Sequence, residues 1–470
     1  MTLQTRLSRN YLSLALARFT AKVISFVAAV IIARHLGAGD FGIFTFSFAA
    51  TTLAIVIFQG GLTPLVIREV ARDRAAAPRY LSMSLLVRGG GALLVVGGAG
   101  AVYALTRSPA ALAAAFAALA LGFGTLLASF TDIFQGFERM EFVALVLVFN
   151  NVVTLGLVVV ATLADATVFH FLALYAAANV LSLAFAALVC AAKFARPAGR
   201  VGGGELKRFV KAAIPFSLSA LVASLYWRSD AVLLKALAGD RAVGIYGASA
   251  RIVEGLVLVA GSFREAIYPV LSRFWPDSPD PFRDASRTAF KFLVALAVPI
   301  GVGTSIVAYK LFPFIYGADY AEGWIVLAVL IWALVAIFLR ELTAATLFAF
   351  DLPKLVLASN ALGAAASVAV NLVLIPYLSY LGPAIAGVVA AFVTTTFNMI
   401  VLGTRMRRLY PWSLALRPAA AAAVMAGVLA LTWQWHVLAN VALGAGVYAA
   451  ALLLLRYYRP RQLLELLPRR

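Results

Sequence analysis

Seven basic side chains stand in stretches that are otherwise apolar: Arg18, Lys22, Arg88, Arg228, Lys235, Arg251 and Arg340. Three acids share those stretches, Asp230, Glu254 and Glu341. A charge at the centre of a membrane-spanning helix costs about 2.5–3.5 kcal/mol even on a lenient insertion scale, so it normally faces a cavity or a partner. The balance is cationic, and a cationic cavity suits an anionic cargo. Arginine in particular offers phosphate a planar fork of donors. The densest stretch is YWRSDAVLLKALAGDRAVGIYGASARIVE (226–254), which reads as half of one spanning helix, a turn at LAGDR and half of the next. Arg228 and Arg251 fall near the middle of their spans. Arg251 and Glu254 are three apart and share a helical face, so the acid either holds the guanidinium or takes up a proton when cargo displaces it. Asp230 diverges from Arg228, two residues away, and is left to pair with another helix or to titrate. Arg18 and Lys22, four apart, share a face of the first span and are expected to line the cavity. Lys235 and Arg88 sit near helix ends and are expected to reach the headgroups. For Arg340-Glu341 a site and a buried structural pair are both open.

The elements that carry these residues are set by composition. Of 470 residues, 63% are hydrophobic and 13% charged, a balance that belongs to multi-span membrane proteins. The runs are about twenty residues long, the length of a spanning helix and not of an alternating barrel strand. They predict an all-α chain of about fourteen spans: 11–33, 41–63, 81–104, 110–130, 142–162, 168–192, 213–236, 242–263, 288–309, 323–348, 355–376, 383–403, 418–433 and 437–455. On one side of the membrane the termini and alternate loops hold roughly 28 of the 39 Lys and Arg; the opposite loops hold four, Arg34, Arg107, Arg241 and Lys310. That asymmetry predicts cytoplasmic N- and C-termini and accounts for most of the net charge of +19, so nucleic acid is not an expected partner. A single cysteine, Cys190, excludes an intrachain disulfide and a CxxC metal site. The three histidines, His35, His170 and His436, are too scattered for a metal set, and neither a cofactor nor a metal is expected. Asn150, Asn151, Asn179, Asn371 and Asn398 read as hydrogen-bonding links between helices. The glycines at 89–91 and 97–98 read as sites of close helix packing.

A repeat divides the chain. Gly42-Ile43-Phe44 matches Gly244-Ile245-Tyr246, and the upstream turns LGAGD (36–40) and LAGD (237–240) correspond. An even number of spans per repeat gives two parallel halves related by an axis along the membrane normal. The expected organisation is a six-helix bundle at 1–192, a cytoplasmic linker with an amphipathic segment at 193–212, a second six-helix bundle at 213–403, and two extra helices with a basic tail at 404–470.

ARHLGAGDFGIFTFS (33–47), GLTPLVIREVAR (61–72), Asp230, VGIYGASARIVE (243–254) and AIYPVLSRF (266–274) together resemble bacterial polysaccharide repeat-unit flippases. These belong to the superfamily that also holds multidrug extruders and lipid II flippases. The resemblance implies a V-shaped pair of bundles working by alternating access in the bacterial inner membrane. It also implies a central cationic cavity and translocation of an undecaprenyl-diphosphate-linked oligosaccharide to the outer leaflet. The protein is then a transporter and not an enzyme, a monomer embedded in membrane lipid, with a polysaccharide polymerase and other assembly proteins as further partners. The lipid II branch remains an alternative, because Arg18, Lys22, Arg251 and Glu254 resemble its cavity positions and two extra C-terminal helices are common there. A cation-coupled drug extruder predicts a mainly acidic cavity, which this chain lacks. A membrane polymerase or ligase usually needs a large extracytoplasmic loop, and no loop here is long enough.

Overall fold

Lipid offers no hydrogen-bond partners to a backbone, so each apolar segment must satisfy its own N–H and C=O groups as a helix. The computed structural model describes residues 3–59, 61–198, 201–406 and 409–457, with side chains from Leu16 onward. Of these, 91% are helical and none is in a strand. In chain order the helices are α1 (Leu3–Gln59), α2 (Leu62–Arg72), α3 (Ala77–Thr106), α4 (Pro109–Gly136), α5 (Met140–Leu163), α6 (Val168–Lys193) and α7 (Gly203–Phe274). There follow α8 (Pro279–Tyr316), α9 (Trp324–Ala349), α10 (Pro353–Leu378), α11 (Leu381–Arg405), α12 (Ser413–Leu431) and α13 (Val437–Leu454). Prolines at the first turns of α3, α4, α8 and α10 mark their starts, where a missing N–H costs nothing.

Twelve helices among the described residues are long and apolar enough to cross a membrane, where the sequence spacing predicts about fourteen. The difference lies in α1 and α7. Each runs through two expected spans as one element, broken once by a glycine with left-handed φ: Gly37 at 71° in α1, Gly239 at 83° in α7. Only glycine adopts that backbone without a Cβ penalty, so both turns fall where the sequence places them. The expected amphipathic segment of the linker is helical and continuous with the span that follows it. From Gly203 it is already the first turns of α7, and Phe209 and Ala213 are buried with Leu65, Val70, Phe134 and Cys190. An Arg79–Glu205 ion pair ties the same turns to α3. Gly199, Arg200, Arg407, Arg408 and the basic tail from Tyr458 lie outside the described residues.

The chain divides into two compact units, Met1–Gly247 and Ala248–Arg470. In the first, α4 packs on α3 and α6, and α1 on α5. Between lipid-solvated helices packing is driven by close contact and not by escape from water, so interfaces favour small residues. Ala113, Ala117 and Ala120 of α4 are accordingly fully buried. Gly91 lets the Phe58 ring lie against α3, whereas Gly97 and Gly98, expected at a close crossing, have nothing near them among the described residues. In the second unit α9 is the central helix, packed by α8 and α11, and α12 and α13 lie on α8 through Ala421, Met425, Leu429 and Tyr448.

Candidate functional site

Two groups of charged residues in the first unit lie within the helices. One is at the α7 break. Asp230, before it, is buried and accepts a 2.5 Å hydrogen bond from the Tyr246 hydroxyl, after it. Lys235 forms an ion pair with Asp240 across the same turn and lies over the Phe46 ring of α1. Its ammonium is therefore engaged by protein groups as well as part-exposed. The residues after the two breaks then meet. The Gly42 amide region lies against Asp240 and Gly244, and the Gly244 region against Ala38 and Gly42, so close that a methyl on either glycine would run into a facing carbonyl. Arg18 is exposed, Lys22 half-buried one turn further along α1, and Arg228 half-buried on α7.

The second place is inside the α3–α4 interface. Arg88, expected to snorkel, has no exposed surface. Its Nη2 donates to Asp132 Oδ2 at 2.7 Å and to Thr63 Oγ1 at 2.8 Å, and its Nη1 to Ser129 Oγ at 3.1 Å. Thr63 also donates to Asp132, and Ser84 to Ser129. A charge pair buried this completely persists only with such a shell of hydrogen bonds. It has the form of a structural clasp joining α2, α3 and α4.

In the second unit Arg251 Nη1 lies 3.6 Å from Glu254 Oε2 on α7. Tyr316, at the end of α8, donates to the Ala248 carbonyl at 2.9 Å and pins the turn that precedes Arg251. On α9, Arg340 donates to its neighbour Glu341 at 2.8 Å, while Arg264 of α7 meets the other carboxylate oxygen at 3.2 Å. Two guanidinium groups thus share one carboxylate. Arg264 is the most exposed of the three, at 41%.

Residues 7–275 match the family of polysaccharide biosynthesis proteins. The chain belongs to that family. Its fold is shared with solved structures of a lipid II flippase and of multidrug transporters. A lipid II flippase MurJ in an inward closed conformation is similar over 96% of this chain and 99% of its own, with TM-score 0.78 and 14% identity. An inward-facing multidrug resistance transporter of the MATE family is similar over 82% of this chain and 95% of its own, with TM-score 0.62 and 17% identity. A superfamily transporter from Pyrococcus furiosus, described as having a binding pocket of reverse polarity, follows at TM-score 0.56 and 16% identity, over 85% and 96%. No curated protein matches the chain in sequence. This member of the polysaccharide biosynthesis family is therefore a multi-pass membrane protein.

Sequence reasoning misses Asp132, Tyr246 and Arg264 as partners of the charged residues, and Tyr316 as the anchor of the Ala248 carbonyl. A hydropathy window ends a span at its first charge, which places Asp132 and Arg264 in loops. In the structure α4 continues to Gly136 and α7 to Phe274, so both charges are helical. The asparagines behave as expected where two helices meet: Asn150 donates to Asn179 at 3.1 Å and to Ser182 at 3.0 Å, and Asn398 to Thr343 at 3.2 Å. Asn371 instead bonds Ser367 on its own helix.

Proposed function

We propose that this protein is a flippase that carries undecaprenyl-diphosphate-linked oligosaccharide repeat units from the cytoplasmic to the outer leaflet of the bacterial inner membrane. Arg18, Lys22, Arg228, Arg251 and Arg340 bind the diphosphate in a cationic cavity, and Asp230, Glu254 and Glu341 tune or couple that binding. The observation that carries this reading is the charge pattern of family-typical helices: arginines outnumber acids within the spans, and at Glu341 two of them share one carboxylate. The diphosphate needs cations, the sugar needs a hydrated space, and the polyprenyl chain stays in lipid. Two six-helix halves alternate in access, with α1 and α7 each crossing twice, α12 and α13 appended, and both termini in the cytoplasm. The polymerase and other assembly proteins act beside it, and the protein works as a monomer with no cofactor.

The test is transport of a fluorescent polyprenyl-diphosphate oligosaccharide by the purified protein in vesicles. Competition by polyprenyl diphosphate, but not by a cationic dye, is the expected result; the reverse preference overturns the reading in favour of a drug extruder. A second reading, a lipid II flippase, is favoured by the TM-score of 0.78 to MurJ and by the presence of α12 and α13. Lipid II offered in the same vesicles separates the two. The topology has its own test: a cysteine introduced in place of Ala238 should react with an impermeant maleimide from outside the cell, and labelling only from the cytoplasmic side refutes the assigned orientation.

A further inference from the structure

Two arginines meet Glu341 in different ways. Arg340, its neighbour on α9, donates to Oε1 at 2.8 Å, and both residues are buried. Arg264 of α7 approaches Oε2 at 3.2 Å through Nε, on the flank of its guanidinium. Its side chain is 41% exposed, and its terminal Nη donors are committed to no other protein group among the described residues. Arg340 alone gives Glu341 a counter-charge, so neutrality does not account for the second guanidinium.

Both helices are fixed where these residues stand. On α9, Thr343 donates to the Arg340 carbonyl and accepts from Asn398 of α11, while Thr395 of α11 donates to the Ala336 carbonyl. On α7, Phe263 stacks on Phe292 of α8 at 5.6 Å, and Tyr268 meets the Phe348 ring of α9 edge-on at 6.2 Å. Arg264 and Glu341 lie roughly 12–15 Å before the ends of their helices, where a charge needs a partner or a task.

We infer that Arg264 is a further cargo-binding residue whose terminal donors take a phosphate of the lipid diphosphate, and that Glu341 is its positioning residue. A carboxylate at Nε fixes a long, flexible side chain before the anion arrives, and leaves the end of the planar fork for phosphate. Glu341 stays in place meanwhile, because it is buried and Arg340 holds its other oxygen. The inference rests on the proposed diphosphate cargo and adds to it a residue outside the cations already assigned.

The test is binding of sugar-free polyprenyl diphosphate to the purified protein in nanodiscs, with uncharged polyprenol as control. Arg264→Gln should weaken diphosphate binding at least fivefold, and Arg264→Lys should recover part of the loss. Glu341→Gln separates positioning from charge. Loss of a nearby carboxylate would by electrostatics alone tighten binding of an anion; loss of the support of Arg264 weakens it. A rise in Kd of at least threefold is expected, and it should vanish in an Arg264→Gln background, because both changes act through one guanidinium. Removing one partner of a buried pair is destabilising. Where Glu341→Gln does not accumulate, Glu341→Asp keeps the charge, withdraws it by one methylene and carries the same expectation. An unchanged Kd in Arg264→Gln overturns the inference alone. So does unchanged or tighter binding in the Glu341 variant that accumulates, or a Glu341 effect that survives without Arg264. Wild-type protein that binds the diphosphate no better than polyprenol overturns the proposed cargo, and this inference with it.

Discussion

The hairpins at Gly37 and Gly239 share a register and differ in what fills it. Around the first break the repeat positions hold Phe26, Ala28, Ala33, Phe44 and Ala49; around the second they hold Arg228, Asp230, Lys235, Tyr246 and Arg251. Ala28, Ala33, Phe44 and Ala49 are buried among apolar neighbours, and Phe44 packs edge-on against Tyr175. Their counterparts make the Asp230–Tyr246 hydrogen bond, the Lys235–Asp240 pair and the Arg251–Glu254 pair. The shared part is backbone: the glycine break and the close crossing. The divergent part is charge. The concentration holds only close to the breaks: further along the first copy Arg18 and Lys22 stand where the second has Ala220 and Ser224, so each copy carries charge at positions where the other has none.

Making the second hairpin resemble the first tests that division. The largest effect is expected at Arg251→Ala, which restores the residue found at Ala49. Export should fall at least tenfold while the protein still accumulates in the membrane, and Arg251→Lys should recover part of it by restoring charge without the fork. Wild-type export from Arg251→Ala, and equally from Arg228→Ala, would remove the functional side of the comparison.

Asp230→Ala, the residue of position 28, comes next. It strips the buried Tyr246 hydroxyl of its acceptor, and an unsatisfied buried group costs about 1–3 kcal/mol. Thermal unfolding of the detergent-purified protein should shift downward accordingly. Tyr246→Phe, the residue of position 44, removes only the donor; about 0.6–1.7 kcal/mol is expected from measured interhelical bonds in membranes. Equal losses in the two variants would mean that packing, not the hydrogen bond, holds the hairpin.

The smallest effect concerns Glu254, whose counterpart is Thr52, a residue bonded to its own helix at Phe48. If cargo displaces Glu254 from Arg251, this ion pair is the step at which cargo binding and protonation couple. Glu254→Gln should then leave binding of the lipid diphosphate intact and flatten the pH dependence of flipping in vesicles. An unchanged pH profile assigns Glu254 to packing and directs attention to Asp230 and Glu341.

Much of this was legible before any coordinates. Apolar runs of spanning length can satisfy their backbones in lipid only as helices, so composition alone determined the class. The repeat at Gly42 and Gly244 located both turns, because a left-handed break needs glycine and the sequence supplies it at matching places. The pairing of Arg251 with Glu254 followed from helical spacing within one element. Pairings between elements did not follow. Arg88 looked like a headgroup-seeking cation until α4 brought Asp132 to it, and Glu341 looked like the partner of Arg340 alone until α7 brought Arg264. Hydropathy measures what a segment prefers as solvent, one window at a time; it is blind to which helix becomes that segment's neighbour. The crossing at Gly42 and Gly244 has the same origin. A glycine in the sequence permits a close approach, and only the tertiary arrangement decides which backbone makes it.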